Sequence, residues 1–333
     1  MAAHINYVQH RAANCSAAGF VFAAMLAVVT STHAEYPEHL IRIIIPSSAG
    51  GTTDLTVRLV APYLSKSLGQ PVVVVNRPGA NGNIGTEAVV KSPADGYTLL
   101  STASAATTNP ALLRTLPYDP INDIQPVAPI AESPYAIVVN GHLPAKNVAE
   151  FIKLARSNPG KLNAAAGGGA GTRLAAELLK FRHNLSLEVI SYTGTGLAAL
   201  AVATGEADFA ITDTASFMAF IPSGRVRVLA IAGDKRLPTM PNVPTTAEAG
   251  LPNFKSGTTV AVYVVAKTPS AVVQKLNATI NAVTALQEVR EQLQKQSGAN
   301  ALTMGVEQFT QWYRDDIRLW KEIVAKAKIT PSD

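Results

Sequence analysis

Two glycine-rich loops, each set between an apolar run and a helical stretch, hold the residue types in this chain that could do chemistry. The first loop reads Pro46-Ser47-Ser48-Ala49-Gly50-Gly51-Thr52-Thr53-Asp54, after the apolar run Ile41-Arg42-Ile43-Ile44-Ile45. The second reads Asn76-Arg77-Pro78-Gly79-Ala80-Asn81-Gly82-Asn83-Ile84-Gly85, after Val72-Val73-Val74-Val75. Each leads from a strand into a helix. The first N–H groups of a helix have no intrahelical partner and sit at its positive end, so such a loop holds an anion without a buried Lys or Arg.

Ligands of open parallel sheets bind beyond the carboxyl ends of the strands. That rule adds two further loops, Gly167-Gly168-Gly169-Ala170-Gly171-Thr172 and Tyr192-Thr193-Gly194-Thr195-Gly196. By position the candidate ligand contacts are Ser47, Ser48, Gly51 and Thr53 from the first loop and Asn83 from the second. Gly169, Thr172, Thr195 and Gly196 are the candidates from the other two. Ser104 and Asp213 follow strands predicted at 97–102 and 208–212. A carboxylate at 213 either selects a ligand ammonium or caps a helix. Each glycine also has a mechanical reading, as a turn or a close backbone approach.

The elements that must position these loops alternate. Strands are predicted at 40–46, 71–75, 97–102, 125–131, 135–140, 163–166, 186–190, 208–212, 226–232 and 259–265, with helical stretches between most of them. That order predicts an α/β fold with mainly parallel sheets flanked by helices. The first helix is expected to start at Asp54. From Ala271 onward the chain reads as helix. Phe309, Tyr313, Ile317, Trp320 and Val324 form one apolar stripe there, which reads as a packed core face despite its aromatic content. The Pro-rich segment 233–254 reads as an ordered connection.

Residues 1–34 read as a cleavable secretory signal. Arg11 is their only Lys or Arg, an apolar run spans Ala17 to Val29, and Thr32-His33-Ala34 offers a small-x-small cleavage site. The run is short against the ~20 residues of a membrane span. The only cysteine, Cys15, lies before that run, so the mature chain carries no cysteine and no thiol chemistry. Its net charge of +5 falls to +4 on removal of the signal, with no Lys/Arg block, so no nucleic-acid footprint is present. Three histidines remain, His39, His142 and His183. None sits in a nucleophile or metal-spaced motif, so no cofactor, no metal and no catalytic group is assigned.

These blocks resemble the extracytoplasmic solute-binding proteins of tripartite tricarboxylate transporters, the TctC-like or Bug family. The resemblance runs from about Tyr36 to Ala327. It rests on Ile41, Arg42, Pro46, Gly50, Gly51, Thr53 and Asp54, on Gly69-Gln70-Pro71 with Asn76 to Ala80, Gly82, Ile84 and Gly85, and on Asp95 to Leu100. Leu116 to Pro120 and Val243-Pro244-Thr245 with Glu248 to Pro252 extend it. It implies a two-lobed periplasmic-binding-protein-like (type II, Venus-flytrap) architecture. Residues 35–132 with 258–333 would form one lobe and 133–257 the other. The implied ligand is a small organic acid, held by N–H groups and hydroxyls.

The implied partner is the membrane permease subunits of a tripartite transporter, or a sensor kinase, served by a periplasmic monomer. Ser47, Ala49 and Arg173 depart from the family pattern, Arg173 standing where a histidine is usual. An arginine there either clamps a second carboxylate bidentately or is a solvated helix residue.

Overall fold

The computed structural model describes residues 36–167, 170–192, 194–252, 254–326 and 328–331. The predicted signal segment and Gly169 lie outside them. Three apolar strands, Ile41–Ile45 (β1), Val72–Asn76 (β2) and Thr98–Thr102 (β3), pair in parallel with β1 central. Ile41, Ile43, Ile44 and Ile45 are all buried, as a strand covered on both faces requires. β2 is an edge strand and leaves Val73 and Val75 exposed. The helices Thr52–Leu68 (α1), Asn83–Val90 (α2) and Ala105–Leu112 (α3) follow these three strands in turn.

The two strands expected at 125–131 and 135–140 are one strand, Ile124–Asn140 (β4). The gap expected at 132–134 is bridged, since Glu132, Ser133 and Pro134 pair with Thr259, Thr258 and Gly257, while register shifts at Pro126/Ala128 and Pro129/Ala131 accommodate the other two prolines. The first part of β4, through Pro134, pairs antiparallel with Gly257–Val265 (β9), which also pairs with β3. The remainder, from Tyr135, pairs with Phe209–Asp213 (β7) and Val226–Ile231 (β8). Asn163–Gly167 (β5) lies parallel between β7 and Glu188–Tyr192 (β6). The path is β2-β1-β3-β9-β4-β7-β5-β6, with β8 and the short Asn300–Ala301 (β10) also on β4. The sheet is therefore mixed, two parallel groups joined by antiparallel pairs: β9 runs against β3 and the first group, and β4 runs against β7 and the second.

Val148–Ser157 (α4), Ala170–His183 (α5) and Thr195–Thr204 (α6) cover the second group of strands. Phe151, Leu179, Phe209 and Ile211 are in its core. The C-terminal region is helical as expected but interrupted. Leu286, at ψ 132°, separates Ser270–Ala285 (α7) from Gln287–Ser297 (α8), and β10 precedes Val306–Lys326 (α9). The stripe Phe309, Tyr313, Ile317, Trp320 and Val324 is buried throughout. Trp320 and Val324 pack with Ala111 and Leu112 of α3 and Leu174 of α5, so α9 touches helices following both groups of strands. The connection 233–254 is ordered by an Ile231–Thr245 bridge and by the Thr246 hydroxyl donating to the Phe254 carbonyl.

Candidate functional site

The first loop is shaped by Asp54. α1 begins at Thr52, two residues before the expected start, and this places the Asp54 carboxylate under the loop. Its oxygens accept from the Gly50 N–H at 2.8 Å, the Arg58 Nε at 2.9 Å and the Asn76 Nδ2 at 3.0 Å. Asn76 also donates to the Ser47 carbonyl at 3.1 Å, and its Oδ1 accepts from Arg58 at 2.7 Å. Asp54 is only 2% exposed. Burial alone would raise its carboxyl. The Gly50 N–H, the Asn76 amide and the Arg58 guanidinium outweigh that and hold it below the ordinary range. The Gly50 N–H is thus spent within the protein. Ser48 and Gly51 remain exposed, Ser47 is half-buried, and Thr53 is buried.

The second loop packs on the first through Gly85. A Cβ there would lie 2.6 Å from the Arg77 carbonyl oxygen and 2.8 Å from Pro46 Cα, so only glycine permits the approach. Asn83 starts α2, and its Oδ1 faces the Asn109 amide and the Tyr118 hydroxyl, each at 3.4 Å. Asn109 is buried and donates to the Asn81 carbonyl at 2.9 Å. Sequence reasoning missed Asn109. Lying inside α3, beyond any glycine loop, it carried no local signal.

Ser104 stands before α3, and its carbonyl accepts from the Thr107 and Thr108 N–H groups. Its hydroxyl and that of Tyr135 converge on Gly171 of α5, where a Cβ would lie 2.8 Å from both. Tyr135 is 4% exposed. Burial pushes its hydroxyl up to about 12, helped by the charge of Asp213 and opposed by hydrogen bonds with Ser104 and Thr258. Asp213, read from sequence as a ligand contact or a cap, bonds the turn that follows it. Its Oδ1 accepts from the Ser216 N–H at 3.0 Å and the Ser216 hydroxyl at 2.7 Å, ahead of the turn Ala215–Phe217.

Thr172 is buried and donates to the Gly167 carbonyl at 3.0 Å, holding the end of β5 against the first turn of α5. Thr172→Val is expected to cost about 1 kcal/mol, the net worth of a buried neutral hydrogen bond. It should leave ligand affinity within a few-fold of the parent. Paired denaturant melts and calorimetric titrations check both halves of that expectation. Thr195 and Gly196 open α6, with Thr195 half-buried and Gly196 exposed.

Arg173 is half-buried on α5 and lines a cavity of about 140 Å³. Asn81, Asn109 and Leu112 line it from the first group of elements, and Ala170, Arg173 and Tyr192 from the second. Among the described residues no hydrogen bond or ion pair engages the Arg173 guanidinium. Of the other candidates, Asn83 reaches this cavity through Asn109. Ser47, Ser48, Gly51, Thr195 and Gly196 stand at their loops and are not among its lining residues.

Helices on parallel strands, one long antiparallel strand joining two such groups, and a cavity lined from both define a periplasmic-binding-protein-like fold. Residues 56–329 match the tripartite tricarboxylate transporter family receptor model, TctC, and the chain belongs to this family. It is 33% identical over 308 residues to protein BugT of Bordetella pertussis, covering 91% of this chain and 94% of that one. Among solved structures it is similar to R. palustris Rpa4515 with adipate, at 31% identity and a TM-score of 0.82, covering 90% of this chain and 100% of that one. MatC from Rhodopseudomonas palustris with bound malate shares 28% identity at a TM-score of 0.77, over 87% of this chain and 100% of that chain. Family members are periplasmic solute receptors.

Proposed function

We propose that this chain is a periplasmic receptor that captures a small organic acid between two lobes and delivers it to the membrane subunits of a tripartite tricarboxylate-type transporter. The lobes are residues 35–132 with 258–333, and 133–257, after removal of a signal peptide at residues 1–34. The observation that carries this reading is the cavity lined from both groups of strands, with Arg173 its charged wall. The change of β4 from β9 to β7 and β8 at Pro134/Tyr135 supports the lobe boundary. The adipate and malate held by the solved relatives support a carboxylate as ligand. Ser47, Ser48 and Asn83 are assigned to the ligand from the first lobe, and Thr195 and Gly196 from the second, through hydroxyls and helix-start N–H groups. Capture and release make and break no covalent bond, so the chain acts as a binder and not as an enzyme.

Unfolding and refolding strips copurified ligand. The thermal midpoint is then recorded against mono-, di- and tricarboxylates, amino acids and neutral sugars. A ligand at ~100 times its Kd adds about 2.7 kcal/mol, which moves the midpoint by several degrees in a chain of this size. Shifts confined to acids are expected. A shift with a neutral sugar and none with any acid would overturn the reading.

A further inference from the structure

We infer that Arg173 is the charge anchor of the ligand and that the cavity around it selects acids lacking an ammonium group. The inference rests on the receptor reading above and narrows its ligand class.

Arg173 is the only charged residue among the described residues lining the cavity. No acid is among the described residues lining the cavity, and acids on adjoining elements have partners of their own. Glu177, one helical turn further along α5, pairs with Lys180 at 3.1 Å. Glu206 accepts from the Tyr192 hydroxyl at 2.9 Å, and Asp213 holds Ser216. A guanidinium with no protein partner is a fork of donors suited to a carboxylate in two parallel hydrogen bonds. The rest of the wall is uncharged: Leu112, Leu113, Ala166 and Ala170, the amides of Asn81 and Asn109, and the hydroxyl residues Ser191, Tyr192 and Thr330. Asn109 is fixed by its bond to the Asn81 carbonyl. A ligand ammonium would leave water here without a carboxylate to meet it, beside a like charge. The volume, about 140 Å³, suits a compact body, since a cavity of about 150 Å³ holds benzene. The selected ligand is thus a small acid with one carboxylate on Arg173 and an uncharged carbon skeleton against the leucine and alanine wall.

Matched pairs that differ only by the ammonium group test this: succinate with aspartate, glutarate with glutamate, and 3-phenylpropionate with phenylalanine. Each is titrated calorimetrically into the refolded, ligand-free protein. The tightest acid is expected to bind at least tenfold more tightly than its amino counterpart. Arg173→Gln should raise the Kd of that acid by about 10- to 100-fold, the loss of hydrogen bonds to a charged group. Arg173→Lys should recover part of this. The unliganded midpoint of both variants should match the parent, which separates a binding role from a folding one. Equal affinity for acid and amino counterpart, or an unchanged Kd in Arg173→Gln, would overturn the inference while leaving the receptor reading in place. Failure of every acid to bind the parent protein would instead remove the receptor reading, and the inference with it.

Discussion

Asp54→Ala is expected to cost about 2–3 kcal/mol, because the Gly50 N–H and the partly buried Asn76 amide lose a charged, buried acceptor together. The midpoint should fall by roughly 3–5 °C for a chain of this length. Arg58 is half-exposed and turns to water, so its loss adds little. Asp54→Asn keeps an acceptor and should cost less. The pH dependence separates charge from shape. The folded carboxyl sits below its unfolded value, so its contribution is complete above the ordinary ~3.9. It then drains as the pH falls through the lower folded value. Between pH 5 and 2 the parent should lose stability faster than Asp54→Ala. Identical acid slopes in the two proteins would show that Asp54 is not the anchor of this loop. Since the loop also carries Ser47 and Ser48, acid affinity should weaken in the same variant.

Gly171→Val is expected to abolish ligand capture, with a loss of more than ~100-fold, while both groups of strands stay folded. The Cβ would meet the Ser104 and Tyr135 hydroxyls at 2.8 Å. The serine hydroxyl can rotate away. The tyrosine is buried on β4 and cannot. Overpacking of this kind typically costs 1–3 kcal/mol, and α5 relieves it most cheaply by moving away from α3. That movement widens the cavity that Asn81 and Asn109 share with Arg173. Circular dichroism should show unchanged secondary structure, and calorimetry should show no heat of binding with the best acid. Retained affinity would show that contact between Ser104, Tyr135 and Gly171 is not needed for capture.

The strand-end loops were readable from sequence because apolar runs and glycines alternate locally. The stripe on α9 was readable because its period of 3.6 is a property of one segment. What escaped depends on contacts between distant segments. Residues 132–134 read as a gap between two strands until β9 is seen to pair through Glu132, Ser133 and Pro134. Asn109 and Tyr135 have no neighbours in sequence that announce them. Thr172 and Asp213 were chosen as polar groups near helix starts, and both also bond the protein's own backbone, a contact that their residue type does not announce. Arg173 stood out for a different reason, as an arginine where the family pattern has a histidine, and among the described candidates it alone lines the cavity directly.

The β4–β9 ladder has a consequence for the order in which this molecule forms. Pro134 pairs with Gly257, and everything on β5 to β8 lies between them in the chain. Closing so long an excursion is entropically costly until the intervening chain has compacted. The pairs β1–β2 and β5–β6 are nearly local by comparison. Folding should therefore proceed as two early nuclei, with the rungs from Glu132 to Tyr135 zipping late. Ser104, Tyr135 and Gly171 meet at that seam, so competence to bind arises only at the last stage of folding.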